Sequence, residues 1–327
     1  GLFSVPYFTT ETIFDNTRKL THLVIVGAGP MGLELALSYR RLGSEVSVVD
    51  PGKALAHVDP ELAEIALRRM RDEGVKIYEE SAVVAVQARS QGIGIVVRAK
   101  DEPLQLDASH VLVAAGRAAN IDELNLDAAR IRRSKSDPGA LSLSQSLRTT
   151  NPRVYAVGEA AGHAPVPHLS ALEADLVVRA ALLGQQTRYD PAAVPRLTLT
   201  DPPIAEVGLS EPMTRGRFKT GFRVLRASYA ESDIALADRR GMGVVKLIVN
   251  RAGRILGGGI AGAGAAELAA LLSLALDRNL AAADLAQLRA PHPSYAGLLR
   301  ALGEQAAAGS EQSRWTRGRF AFTRLFH

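Results

Sequence analysis

The chain contains no cysteine. That excludes disulfides, thiolate metal sites and cysteine nucleophiles within these 327 residues, and it fits a reducing, cytoplasmic setting. No apolar run approaches the length of a membrane span, and no charged-then-apolar segment stands at the start. The histidines carry no metal-ligand spacing, so no metal is expected, and no internal repeat is visible. Aromatic residues are scarce at 5%, and outside the last twenty residues no basic-aromatic module suggests nucleic acid. The net charge of +5 comes from scattered basic residues and reads as solvated surface. An apolar fraction of 47% and a charged fraction of 22% are ordinary for a globular protein, and this length suggests two or three domains.

The strongest signal lies at residues 23–50. Leu23-Val24-Ile25-Val26 runs into Gly27-Ala28-Gly29-Pro30-Met31-Gly32, an apolar helix follows to about Leu42, and Glu45–Val49 ends on Asp50. Each part has a mechanical role in a dinucleotide fingerprint. Gly27 permits the tight turn, Gly29 lets backbone approach a pyrophosphate, and Gly32 lets the helix pack close to the strand. The helix start offers unpaired N–H groups and a positive dipole end to the phosphates. Asp50 stands where a carboxylate takes ribose hydroxyls, which favours NAD; Lys53 nearby keeps NADP open.

Further along, Asp59-Pro60-Glu61 marks a helix start that continues in apolar helical spacing to Gly74. Lys76-Ile77-Tyr78 reads as the third strand, 82–89 and 94–99 as a hairpin, and 111–115 as a strand that exits through Gly116-Arg117. Residues 118–150 are polar and irregular. The stretch 151–159 reads as a short buried strand ending on Gly158 and Glu159, where an acid could hold a polyol. A helix is expected over 168–183, a strand-rich segment over 195–260 with a turn at 250–253, and helices over 265–279 and 284–288.

The order of these segments resembles the class I pyridine nucleotide–disulfide oxidoreductases, on the dihydrolipoamide dehydrogenase and mercuric reductase side. The resemblance rests on residues 27–36, on Val113-Ala114-Ala115-Gly116-Arg117 with Asn120, and on 150–159, 200–211, 259–268 and His292-Pro293-Ser294, all in family order. It implies an α/β fold. Residues 1–19 would be a linker or FAD-domain stub, 20–118 a Rossmann-type NAD(P)-binding domain, and 119–190 the returning part of a second, FAD-binding domain. Residues 191–308 would form an α+β dimerisation domain, making the protein a homodimer, and 309–327 a basic-aromatic tail. Gly27, Gly29, Pro30, Gly32, Asp50, Gly116 and Arg117 would serve the nicotinamide dinucleotide, and Gly158 and Glu159 the flavin, with Glu in place of the family's usual Asp. The resemblance also places Glu34 near the flavin and makes His292 an acid/base.

Three departures qualify this. The family's N-terminal FAD fingerprint and its CxxxxC pair have no counterpart here, and glycine (Gly297) stands where the carboxylate that orients His292 would be. The expectation is part of an FAD-dependent oxidoreductase moving hydride from NAD(P)H to flavin, truncated before Gly1 and inactive as this chain. The alternative is a non-catalytic NAD-binding dimeric relative. The tail, with Arg314, Trp315, Arg317, Arg319 and Phe320, is expected to pack on the partner or stay flexible, with contact to an anionic membrane surface or nucleic acid as the other reading.

Overall fold

The structure, a computed structural model, describes residues 1–99, 103–163 and 166–311, with only the backbone of 309–311. The tail from 312 onward lies outside the described residues. Tertiary contacts divide the chain into two units, Gly1–Ala115 with the described residues from Pro195 onward, and Gly116–Val194.

In the first unit, β1 (Tyr7–Thr9), β2 (His22–Val26), α1 (Pro30–Arg41), β3 (Glu45–Val49), α2 (Pro60–Asp72) and β4 (Lys76–Tyr78) lead into β5 (Ala82–Ala88), β6 (Ile93–Arg98), β7 (Pro103–Ala108) and β8 (His110–Val113). Five of these form a wholly parallel sheet in the order β1-β8-β2-β3-β4. Leu23, Val24 and Ile25 are buried at 0% exposure because the sheet is covered on both faces, which is why β2 reads as a continuous apolar run. Helix α2 starts as its sequence signals: the Asp59 side chain accepts the Glu61 N–H at 3.0 Å and Pro60 occupies the first turn.

Residues 1–19, expected to be a linker or FAD-domain stub, carry regular structure. β1 pairs in parallel with β8, and Val5 and Ile13 are buried in the cores beneath. The expected hairpin is a three-stranded antiparallel sheet, β5-β6-β7, whose third strand the reading missed.

The second unit is irregular and is built around Ile121, Ile131, Leu141, Ala156 and Ala161, with helix α3 (Pro167–Leu182). The strand expected over 151–159 is instead one β-bridge, Arg148 to Tyr155, followed by a 3₁₀ turn, Gly158–Ala161. The half-buried run pairs only with 147–149, where Thr149 donates to the Val154 carbonyl and Ala156 to that of Leu147, too short a contact for a ladder.

The first unit is completed by β9 (Arg196–Thr198), β10 (Ile204–Gly208), α4 (Glu211–Phe218), β11 (Phe222–Ser228), α5 (Asp233–Ala237), β12 (Val244–Asn250), β13 (Ile255–Ala261), α6 (Ala265–Asp277) and α7 (Ala296–Glu311). The strands form an antiparallel sheet, β11-β12-β13-β10-β9. Its core is closed by α6 and α7 through Leu268, Leu272, Leu299 and Leu302. The helix expected near 284–288 is a 3₁₀ segment, Ala282–Gln287, and α4, α5 and α7 were not anticipated. Among the described residues no helix is long and apolar enough to cross a membrane.

Candidate dinucleotide-binding site

β2 lies centrally in the parallel sheet. The chain leaves it through α1 toward β3 on one side, while β8 flanks it on the other. A crevice outside the strand C-termini at such a point of divergence is where doubly wound sheets hold ligands. Gly27, Gly29, Pro30, Gly32 and Asp50 all lie at this end of β2 and β3.

The three glycines are required for different reasons. Gly27 has φ +113°, and a Cβ there would stand 2.5 Å from the Ala114 carbonyl oxygen. At Gly32 a Cβ would meet the Gly27 carbonyl oxygen at 2.1 Å, so helix and turn touch backbone to backbone. Gly29 is unlike both: its φ is −74° and ψ 178°, open to any residue, and a Cβ there meets nothing within 4 Å. The fold therefore needs Gly27 and Gly32 for itself, whereas the space before Gly29 is open. Gly29 is the N-cap of α1, no side chain caps that helix, and Pro30 contributes no N–H of its own. The first-turn amides and the positive end of the helix dipole thus face an open approach, which suits a pyrophosphate.

Asp50 binds back to the turn. Its Oδ2 accepts the Ala28 N–H and its Oδ1 the Gly52 N–H, both at 2.7 Å. Each carboxylate oxygen has a second lone pair, so the anchored group retains acceptor capacity for ribose hydroxyls. The group is a short bridge between the glycine turn and the loop after β3.

In the second unit, Arg117 and Glu159 form a bidentate pair at 2.7 and 3.1 Å. This joins a residue expected beside the nicotinamide to one expected beside the flavin. Gly116 and Gly158 both have positive φ, +95° and +63°, as sharp turns require. The Gly158 N–H donates at 2.5 Å to Glu173 on α3, a carboxylate at 0% exposure that also pairs with His163 Nδ1 at 2.6 Å. His163 stacks on Tyr189 with centroids 4.4 Å apart. Burial pushes the Tyr189 hydroxyl up to about 12, and the charge and hydrogen bond of Glu173 add to this, so the phenol stays a donor. Sequence reasoning missed this cluster, because a glutamate on a helix carries no sign of what it faces. The two groups expected to hold a flavin ribityl chain, the Gly158 turn and the Glu159 carboxylate, are thus both engaged within the unit. Each Glu159 oxygen keeps a further lone pair, as those of Asp50 do.

Glu34, expected near a flavin, accepts the Leu199 N–H at 2.7 Å. Burial pushes its carboxyl up and that hydrogen bond pulls the other way. In this unit it ties α1 to the segment after β9. His292 is exposed, in a cavity lined by Ser228, Ser294, Leu298 and residues of α5. Its Nε2 lies 3.5 Å from Asp233 Oδ2. A carboxylate therefore stands beside this histidine, supplied by α5 and not by its own motif. Among the described residues no cluster of three or more His, Asp or Glu could hold a metal ion.

A parallel α/β sheet with a glycine turn on its central strand, combined with a separate antiparallel sheet closed by helices, defines a Rossmann-type α/β fold with an appended α+β domain. A family model described as pyridine nucleotide-disulphide oxidoreductase matches residues 1–181, and the dimerisation domain of the same family matches 194–301. The chain belongs to the class I pyridine nucleotide–disulphide oxidoreductase family. It is 31% identical over 302 residues to mercuric reductase of Streptomyces lividans, covering 92% of this chain and 63% of that protein. It is 29% identical over 312 residues to dihydrolipoyl dehydrogenase of Geobacillus stearothermophilus, covering 92% and 64%. It thus spans less than two thirds of the length of these relatives. Among solved structures, LpdA of Mycobacterium tuberculosis superposes with a TM-score of 0.84 at 23% identity, over 91% of this chain and 64% of that one. The HOCl-induced flavoprotein disulfide reductase RclA of Escherichia coli gives 0.84 at 23% identity, over 93% and 69%. The family uses FAD and a nicotinamide dinucleotide.

Proposed function

We propose that this chain binds NAD(H) at the glycine turn and forms the nicotinamide-binding and dimerising portion of an FAD-dependent oxidoreductase. In that reading 20–118 serve the nicotinamide dinucleotide, 119–190 the flavin side, and 191–308 the contact with a second copy. The observation that carries it is Gly29, a glycine that neither backbone geometry nor any neighbour requires, opening onto an uncapped helix start. When bound, the nicotinamide supplies the hydride. The chain's part is to seat the pyrophosphate on the first turn of α1 and to orient the adenosine ribose on Asp50. Of the groups expected to hold a flavin, the chain offers only those on the ribityl side, Gly158 and Glu159, so on its own it is proposed to hold the nicotinamide dinucleotide without retaining FAD.

Asp50→Ala tests the cofactor preference. The substitution loosens the Ala28 and Gly52 anchors, so both cofactors weaken, but NADH loses ribose contacts as well. Calorimetry should show NADH weakened more than NADPH by about 1–3 kcal/mol, the scale of hydrogen bonds to a charged group. A larger loss for NADPH reverses the preference for NAD.

Assembly as a homodimer is part of the same proposal. Leu271 and Leu274 on α6 stand exposed while Leu268, Ala269 and Leu272 of the same helix are buried. Sedimentation should report a dimer at micromolar concentration, shifted toward monomer by Leu274→Glu; a monomeric wild-type chain rejects the homodimer.

The binding-only alternative is supported by the closure of the Gly158 turn on Glu173 and of Glu159 on Arg117. It predicts that no electron acceptor is reduced under any reconstitution, whereas the oxidoreductase reading predicts dye reduction once flavin is held.

A further inference from the structure

The interior of the first unit holds a lysine that the dinucleotide reading does not use. Lys246, in the middle of β12, has a side chain 3% exposed. Its Nζ lies 2.9 and 2.8 Å from the two oxygens of Asp59, and 2.9 Å from both Glu61 and Glu211. Arg226 on β11 closes the outer side by pairing with Glu61 and Glu211. Burial works against the ammonium charge, but the hydrogen bonds it donates to Asp59, Glu61 and Glu211 outweigh it and hold its pKa above the ordinary value. Beneath this group, Glu206 on β10 is buried, and its Oε1 accepts the backbone N–H of Asp59 at 3.1 Å.

Asp59 is also the far end of the loop that begins at Asp50. The near end is pinned to the glycine turn by Asp50 on Ala28 and by the Leu55 N–H on the Ala28 carbonyl at 3.0 Å. The middle is held where Glu79 accepts the Ala54 N–H at 2.9 Å. Ala54 and Leu55 are buried, so little of the loop can shift without moving its ends. The adenosine-side loop is thus clamped between the glycine turn and the antiparallel sheet.

We propose that Glu206 and Lys246 are positioning residues for the loop 50–59, and that through them nucleotide binding at the glycine turn is coupled to the antiparallel sheet of the C-terminal domain. This rests on the dinucleotide reading and extends it. Neither residue touches the open approach at Gly29. They act by fixing where Asp59 sits, and hence where the loop presents Asp50 and Lys53. Coupling of this kind is reciprocal: a residue that raises nucleotide affinity is itself held more firmly when nucleotide is bound.

The test compares the wild-type chain with Glu206→Gln and Glu206→Leu by calorimetric titration with NADH and with ADP-ribose. Glutamine keeps an acceptor for the Asp59 N–H and should stay near wild type. Leucine removes the acceptor and should weaken both ligands by the same factor, roughly five- to tenfold, the low end of measured couplings. Equal affinities for wild type and the leucine variant overturn the proposal, as does a glutamine variant that falls as far as leucine. In the unmodified chain, saturating NADH should slow hydrogen exchange in peptides containing Asp59 and in those containing Lys246. Slowing confined to 27–32 and 50–54 overturns the coupling whether or not the leucine variant folds. A wild-type chain that binds neither NADH nor ADP-ribose removes the dinucleotide reading itself, and the proposal falls with it. The first titration therefore separates the two failures.

Discussion

Gly29→Val should weaken NADH binding about a hundredfold while leaving the fold intact. The backbone at Gly29, φ −74° and ψ 178°, is extended and suits a β-branched residue, and the position of a Cβ there meets no protein atom within 4 Å. The valine methyls would instead fill the approach to the first turn of α1, where the pyrophosphate needs direct contact with backbone amides. Losing one or two hydrogen bonds to a charged group removes about 3 kcal/mol, roughly a hundredfold in affinity. Thermal unfolding should change little, as for a surface substitution. Gly32→Val gives the contrast. Its Cβ would stand 2.1 Å from the Gly27 carbonyl oxygen, so it should lower stability and binding together. Unchanged calorimetric affinity in Gly29→Val would falsify the site.

Glu173→Leu should be the most damaging single change in the second unit. The carboxylate is fully buried and accepts from the Gly158 amide and His163, with Tyr189 as a further partner. Leucine fills a similar volume but leaves these donors facing an apolar side chain. Breaking a buried charged network from one side costs about 3–5 kcal/mol. Glutamine should cost less, about 1–3 kcal/mol, because its carbonyl can still accept the Gly158 N–H. Hydrogen exchange should show residues 158–163 losing protection in the leucine variant, with NADH affinity at the glycine turn unchanged. Wild-type protection in that variant would mean the turn is held by something other than Glu173.

The glycine turn was legible because everything that makes it is local. A buried parallel strand reads as an unbroken apolar run, and a turn with φ +113° calls for glycine at Gly27. An N-cap is a matter of one side chain reaching two residues on, as Asp59 does to Glu61. The same holds for the β12–β13 hairpin, whose turn lies within four residues. Elements whose pairing depends on distant chain were misread. Tyr7–Thr9 has three residues and no period, and becomes a strand because β8, about a hundred residues later, offers an edge. Residues 154–157 have the apolar run of a strand, but pair only with the short stretch 147–149, and so form one bridge.

For the candidate site the division follows the same line. The sequence by itself determined that a glycine turn of the dinucleotide pattern exists, which residues build it, that Asp50 follows the next strand, and that no cysteine chemistry operates within this chain. Tertiary structure alone decided what each charged group faces. It placed Asp50 against the Ala28 amide, Arg117 on Glu159, Asp233 beside His292, Glu173 under the Gly158 turn, and Lys246 among the acids of α2 and α4. The physical reason is range. Turn geometry and helix starts are settled within a few residues by sterics and hydrogen bonds along the chain. A buried charge is tolerated only where partners from distant segments converge on it, and no local pattern records that convergence.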